Sequence, residues 1–284
     1  MRLWIGLLLL LSLPTPVSAQ ANVSARSADS PPLEIPAALR GDYFYIRSDE
    51  IGRGYHIHVR YPEGYDPAAE RTWPTVYLTD GDSLFPILAA NHLFLHYDDR
   101  LPEALVVGIA YGGFDPSVNR RNIDFQSPGA GVEPSQAGAA AFQRFLKTDL
   151  IPLIERRYRS DPARRVLFGQ SRGGAFVLYS AVTDPDLFWG RIASNPSLTP
   201  GIESLLETAS PSEQPDLGLV VVSGTRDRAD LQAEAAQWLS EWEARPEKPW
   251  RLSGMRLDGG THAANAPAAY RLGMNWLFGA EPAP

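Results

Sequence analysis

Apolar residues along the chain fall into two patterns that alternate. Short runs in which almost every position is apolar, such as Val106–Tyr111 and Leu217–Ser223, are typical of strands buried on both faces of a sheet. Longer helical patterns separate such runs, at Leu84–His96, Ala137–Tyr158, Gly173–Val182, Leu231–Trp242 and His262–Phe278. The alternation predicts an α/β fold over residues 40–279, with a mostly parallel sheet and helices on both of its faces.

The first two strands of this domain are predicted to pair with each other. Tyr43–Arg47 and Tyr55–Tyr61 lie on either side of the glycine-containing segment Gly52–Gly54. A connection of this length and composition joins antiparallel strands. The sequence therefore predicts an antiparallel hairpin at the N-terminal edge of the sheet.

The N-terminus has the composition of an export signal. Arg2 precedes the apolar stretch Leu3–Leu13, and Pro16–Ala19 places small residues at the cleavage position, so residues 1–19 are predicted to be a secretory signal peptide. The alternative is a membrane anchor, but a spanning helix needs about 20 apolar residues. We expect a periplasmic or secreted protein, with a mobile lead-in at 20–39 and a short tail at 280–284.

A five-residue motif gives the clearest indication of a catalytic residue. The segment Gly169–Gly173 reads G-x-S-x-G and stands between a short apolar strand and an apolar helix. This is the context of a nucleophile elbow, a sharp turn that exposes Ser171 to a base. The alternative is a β-turn that happens to contain serine. In an elbow, the backbone N–H of Arg172 begins the helix and forms half of an oxyanion hole.

A general base and an acid are expected after the nucleophile, in the order serine, acid, histidine. His262 lies in a glycine-rich loop directly after the strand Arg251–Leu257. Two acids compete for the third position, because Asp227 follows the strand Leu217–Ser223 directly, whereas Asp230 is placed to cap the next helix. We favour Asp227.

These residues belong to a longer set that resembles one family. Tyr55–Asp66 ends in Pro-Glu-Gly-Tyr-Asp, Trp73–Gly81 is a strand that leads into Thr-Asp-Gly, Arg121–Phe125 has the form R-x-x-D, and Ser194–Leu198 resembles a serine-proline-serine segment with one residue inserted. With the elbow, they are similar to the putative esterase family of α/β-hydrolases. That family includes esterase D, enterobactin and other siderophore esterases, feruloyl esterases and the mycolyltransferase antigens.

The resemblance implies further site residues and also shows departures. It places the second oxyanion donor in the turn at Gly81–Ser83, where the N–H of Asp82 is our first choice. Many relatives carry a tryptophan pair after the serine-proline-serine segment, but this chain has Leu198–Pro200 there. Thr79 also interrupts the apolar strand that leads to the oxyanion turn.

A segment rich in glycine and proline, Gly112–Gly138, predicts a long loop where substrate enters, either a specificity loop or an inert surface excursion. We expect Arg121 to pair with Asp124 and fix the shape of this loop. An alternative role for Arg121 is direct contact with an acidic substrate. Phe85 and Tyr111 are further candidates for substrate contact, because aromatic neighbours suit an apolar or aryl acyl group.

The composition of the chain limits which partners and cofactors we expect it to bind. The formal charge is −7, which argues against nucleic acid and anionic membrane surfaces. His56 with His58, and His92 with His96, have spacings that metals use, but neither pair has an accompanying carboxylate or cysteine ligand set, so we expect no metal and no cofactor. The chain has no cysteine, so core packing alone must hold it together.

The residues predict a serine esterase that acts on a small-molecule ester through an acyl-enzyme, with siderophore-type lactones as leading candidates from the resemblance. Transfer of the acyl group to an alcohol, or hydrolysis of feruloyl or acetyl esters, are alternatives that use the same triad. A catalytically dead binding module is an alternative of a different class. The complete and correctly ordered triad argues against it.

Overall fold

Nine strands form one sheet in the part of the chain described by a computed structural model, residues 23–24 and 39–279. In chain order they are β1 (Val23–Ser24), β2 (Gly41–Ser48), β3 (Arg53–Arg60), β4 (Trp73–Leu78), β5 (Leu105–Ala110), β6 (Ser160–Gln170), β7 (Gly190–Ser194), β8 (Gly218–Gly224) and β9 (Arg251–Leu257). Their spatial order is β1-β2-β3-β5-β4-β6-β7-β8-β9.

The direction of the strands agrees with the sequence prediction. All pairs from β5 through β4 to β9 are parallel, whereas β1, β2 and β3 pair antiparallel at the N-terminal edge. The predicted hairpin is confirmed, with Tyr45 opposite His56 and with Gly52 at φ 73° in its turn. Strand β1 lies within the predicted lead-in and pairs with Tyr45 and Ile46.

Helices cover both faces of the sheet, so the predicted α/β-hydrolase architecture is confirmed. They are α1 (Gly81–Asp99), α2 (Arg121–Asp124), α3 (Ala139–Phe145), α4 (Ile151–Arg157), α5 (Arg172–Thr183), α6 (Ala229–Glu243) and α7 (Ala266–Phe278). Aromatic residues of α3, α5 and α6 pack on one face, and apolar residues of α1 and α7 pack on the other. Alternate strand residues supply the two cores; for example, Tyr77 belongs to the first core and Leu78 to the second.

Three elements differ in more than a few terminal residues from the sequence prediction. The single helix expected at 137–158 is divided by a π-helical turn, Leu146–Leu150, between α3 and α4. Strand β6 begins at Ser160, well before the short apolar strand expected ahead of the elbow, because Ser160 pairs with Trp73 before the register shifts. The last helix begins at Ala266 rather than His262. Pairing with neighbouring strands, which local composition does not record, sets the start of β6.

None of the helices within 39–279 is both long and apolar enough to cross a membrane. The predicted signal peptide, most of the lead-in and the tail at 280–284 lie outside the described residues.

Candidate active site

Ser171 occupies a strained turn between β6 and α5. Its backbone has φ 60° and ψ −119°, a conformation that non-glycine residues rarely adopt. The turn is also tight, because a Cβ added at Gly169 would lie 2.2 Å from the carbonyl oxygen of Gly173. The N–H of Ser171 donates to the carbonyl of Ser194 on β7 at 2.9 Å. Glycines are therefore needed where the strand folds back against the helix, as an elbow requires.

The structure brings the three predicted triad residues together. His262 Nε2 lies 3.0 Å from Ser171 Oγ, and His262 Nδ1 lies 3.0 Å from both carboxylate oxygens of Asp227. The Asp227 side chain is 2% exposed, whereas that of His262 is 33% exposed. In this arrangement the imidazole can accept the serine proton at Nε2 while the buried carboxylate holds the N–H of Nδ1.

The two candidate acids occupy different environments. Asp227 lies in the turn after β8 and faces His262, whereas Asp230 is exposed and pairs with Arg228 on the surface. The prediction that Asp230 caps α6 is wrong, because the helix begins at Ala229 with Arg228 at the N-cap. Asp230 is thus already helical, and its carboxylate accepts hydrogen bonds from the Arg228 side chain.

Two helix N-termini meet at the candidate nucleophile. Arg172 is the first residue of α5 and Asp82 the second residue of α1, so neither N–H has an acceptor within its own helix. A Cβ added at Gly173 would lie 2.4 Å from Thr79 Oγ1 and 3.1 Å from Asp80 Oδ2, so the β4–α1 turn packs directly against the start of α5. The Asp82 carboxylate accepts N–H bonds from the segment after β5. The assignment of these two N–H groups to an oxyanion hole stays a prediction.

Arg121 holds the β4–α1 turn rather than the long loop. Its Nε and Nη2 donate to the two carboxylate oxygens of Asp80 at 2.7 and 3.0 Å, and Nη2 also lies 3.5 Å from the carbonyl of Gln170. Asp80 is 9% exposed and sits at φ 55°. Burial raises the pKa of Asp80, and the guanidinium opposes that shift. The Arg121 side chain thereby links the turn before Asp82 to the residue before Ser171.

The predicted pairing of Arg121 with Asp124 is wrong. The Asp124 carboxylate instead accepts hydrogen bonds from Arg53, from the Tyr55 hydroxyl at 2.8 Å and from the Tyr111 hydroxyl at 3.0 Å. It is 1% exposed, and burial raises its pKa. The carboxylate ties α2, in the middle of the long loop, to strand β3, a contact between distant segments that the spacing of R-x-x-D does not reveal.

The two aromatic residues predicted to contact substrate lie in the core. Phe85 is 7% exposed and stacks on His58 with ring centroids 5.3 Å apart. Tyr111 is 4% exposed and directs its hydroxyl at Asp124. Their burial gives the substrate prediction no support. Within residues 39–279, no three acidic or histidine side chains converge in a way that could hold a metal ion.

Sequence reasoning missed Asn195, which connects the loops of the triad. Its Nδ2 donates to the carbonyls of Thr261 and His262 at 2.9 and 3.1 Å, and its Oδ1 accepts from Gly224 N at 2.7 Å and from Asn265 Nδ2 at 3.3 Å. All four hydrogen-bonding positions of this buried amide are therefore used. The only sequence signal was its place in the altered serine-proline-serine segment.

Curated proteins resemble part of this chain. Ferri-bacillibactin esterase BesA of Bacillus subtilis is 37% identical over 169 residues, 54% of this chain and 57% of that protein. Siderophore triacetylfusarinine C esterase of Aspergillus fumigatus is 28% identical over 180 residues, 59% of this chain and 58% of that protein. The chain thus matches less than two thirds of the length of these curated relatives.

A solved structure and a protein family match a larger part of this chain. The BES protein from Bacillus cereus superposes with a TM-score of 0.73 at 22% identity, over 86% of this chain and 97% of that one, which establishes a shared fold. The family described as "Putative esterase" matches residues 48–262, from the end of β2 to the candidate catalytic histidine. Since that span includes all three residues that meet at the elbow, the chain belongs to the putative esterase family.

Proposed function

We propose that this protein is a serine esterase that hydrolyses carboxylic esters through an acyl-enzyme. The observation that carries the proposal is the continuous hydrogen-bonded series from Asp227 through His262 to Ser171. His262 takes the proton of Ser171 as the hydroxyl attacks the ester carbonyl, and then protonates the leaving alcohol. Water, activated by the same imidazole, releases the acid and regenerates the serine.

Electrostatic stabilisation of the tetrahedral intermediate falls to backbone groups. The N–H groups of Arg172 and Asp82 would donate to the oxyanion from two helix N-termini. The paired Asp80 and Arg121 side chains support this arrangement by fixing the turn that precedes Asp82. Removal of one oxyanion donor typically costs on the order of 10²- to 10³-fold in turnover.

We further propose siderophore-type ester or lactone bonds as the natural substrates. Support comes from the names of the relatives, which are ferri-bacillibactin and triacetylfusarinine C esterases. The composition of residues 1–19 supports export to the periplasm or the medium as the place where such a substrate is met.

The test is turnover of p-nitrophenyl esters, methyl ferulate and a catecholate trilactone by wild type, Ser171→Ala, His262→Ala and the double variant. We expect each single variant to lose about 10³-fold or more, and the double variant to be little worse, since triad members act as a unit. A fluorophosphonate probe should label wild type and not Ser171→Ala. Substantial turnover by Ser171→Ala would contradict the mechanism, and labelling without turnover of the trilactone would contradict the substrate assignment alone.

A further inference from the structure

One arginine beside the proposed nucleophile has no carboxylate partner. Arg172 follows Ser171 and is partly exposed, and within residues 39–279 no Asp or Glu oxygen lies in ion-pair distance of it. The neighbouring Arg121, by contrast, is neutralised by two bonds to Asp80. A positive charge is therefore left without a counter-ion next to the reacting serine.

A rigid amide holds the Arg172 side chain in place. Its Nη1 donates to Gln126 Oε1 at 2.9 Å. Gln126 is 6% exposed, and its Nε2 donates to the carbonyls of Ser127 and Pro200 at 2.9 and 2.7 Å. These two bonds fix the amide so that its oxygen faces the guanidinium. A guanidinium has five N–H donors. Among the described residues, only a donor on Nη1 of Arg172 has a hydrogen-bond partner, which is Gln126 Oε1.

The surroundings make the uncompensated charge costly. Burial lowers the pKa of Arg172, and the charge of Arg121 lowers it further, while Glu234 acts in the opposite direction. Glu234 is beyond ion-pair distance, and its Oε2 already accepts from the N–H groups of Leu198 and Thr199 at 2.8 and 3.3 Å. A bound anion would recover the desolvation cost of Arg172 through charge-assisted hydrogen bonds.

The position of the guanidinium indicates which part of a substrate it would meet. Arg172 bonds the side chain of Gln126, whereas the loop of His262 is held by Gln170 and Asn195, so the two share no hydrogen-bond partner. The leaving alcohol must lie beside His262 to receive its proton. The acyl portion of the ester lies on the other side of the reacting carbonyl, away from that alcohol.

We propose that the Arg172 side chain forms a subsite for a negatively charged group, a carboxylate or an ionised phenol, on the acyl portion of the ester. This inference rests on the proposed esterase function. It adds a substrate property, acidity on the acyl side, that the triad alone does not specify.

The experiment compares two esters with the same leaving group. One is the p-nitrophenyl monoester of glutaric acid, and the other is p-nitrophenyl 5-methylhexanoate, in which two methyls replace the carboxylate oxygens. In wild type we expect kcat/KM to favour the acidic ester roughly tenfold, the ratio that one charge-assisted hydrogen bond of about 1.4 kcal/mol supplies. Added salt should reduce the preference.

Variants test whether Arg172 causes that preference. We expect Arg172→Gln to abolish the preference for the acidic ester. Arg172→Lys should keep part of the preference, because lysine retains the positive charge but not the planar set of N–H donors of arginine. Arg256→Gln, the same charge change at an exposed position on β9, should leave the ratio unchanged. Free glutarate should slow fluorophosphonate labelling of wild type but not of Arg172→Gln.

The outcomes separate this proposal from the function on which it rests. Equal turnover of the two esters by wild type, or an unchanged preference in Arg172→Gln, overturns the subsite and leaves the esterase intact. If neither ester is hydrolysed and Ser171 is not labelled, the proposed function fails and the subsite fails with it.

Discussion

Asp227 shows how a single carboxylate acts through its neighbour. It lies on the Nδ1 side of His262, is almost fully buried, and also accepts the N–H of Arg228 at 2.7 Å. A buried carboxylate in this position keeps the imidazole in the tautomer whose Nε2 can accept a proton. We therefore propose that Asp227 orients and stabilises the imidazole, and a variant that removes only its charge tests this role.

The first prediction distinguishes the two acids. Asp227→Asn should lower kcat on p-nitrophenyl esters by about 10⁴-fold, because an amide at this position favours the wrong imidazole tautomer. Asp230→Asn is the matched control and should have little effect, because exposed ion pairs such as its pair with Arg228 contribute little. Steady-state kinetics and circular dichroism measure both. A large loss in Asp230→Asn with none in Asp227→Asn would reverse the assignment.

The second prediction concerns Asn195. Asn195→Asp keeps the shape but replaces two N–H donors with acceptors that face the carbonyls of Thr261 and His262. We expect kcat to fall at least tenfold with KM less affected, because the histidine loop would move away from the serine while the binding surface remains. Asn91→Asp, at a partly exposed position on α1, is the control. Unchanged kcat in Asn195→Asp would show that the triad loops hold without this amide.

At the scale of elements, the packing of the β4–α1 turn against the start of α5 decides the geometry of the site. The elements are far apart in sequence, and only the parallel order β4-β6 makes them neighbours. Gly173 permits the contact, since any side chain there would meet Thr79 and Asp80. The Arg121 ion pair then holds the turn from the other side.

The third prediction tests this contact. Gly173→Ala would place a methyl group 2.4 Å from Thr79 Oγ1, so the turn and the helix must separate. We expect kcat/KM to fall at least tenfold through displacement of the two N–H donors. Thr79→Ala in the same chain should restore part of the loss by removing the opposing oxygen. Gly113→Ala, where an added Cβ meets nothing within 4 Å, should be neutral. If Thr79→Ala does not restore any kcat/KM to the Gly173→Ala variant, the loss does not come from a clash with Thr79.

At the scale of the whole molecule, α1 and α7 are joined across one face of the sheet by buried polar groups. His92 on α1 is fully buried and bonds the Tyr270 hydroxyl at 2.9 Å and the Pro102 carbonyl at 3.1 Å. Burial lowers the pKa of His92 to about 4, and the charge of Arg60 adds to the effect. The folded protein therefore holds this imidazole neutral.

The fourth prediction follows from linkage. Between about pH 4 and 6.5 the unfolded chain binds a proton at His92 that the folded chain does not, so stability is complete above this window and declines as the pH falls through it. The loss should reach roughly 3 kcal/mol in the free energy of unfolding. Urea denaturation at several pH values measures it. His92→Gln should flatten the decline and His96→Gln should not; equal slopes in both variants would refute the assignment.

Much of the candidate site was determined by the sequence alone. The G-x-S-x-G elbow, the strand before Asp227 and the glycine-rich loop of His262 are local signals, since each follows directly from a buried strand in an α/β pattern. Because each of the three residues follows the carboxyl end of a parallel strand, all three lie at the same edge of the sheet.

The remaining contacts were decided by the tertiary structure. The partner of Arg121 is Asp80 rather than the nearby Asp124, the amide of Asn195 spans two loops, and Phe85 is turned into the core. Each depends on which strands become neighbours and on how closely helices approach them. Such contacts join residues tens of positions apart, so no periodicity or local propensity encodes them, and burial among distant partners selects one pairing over another.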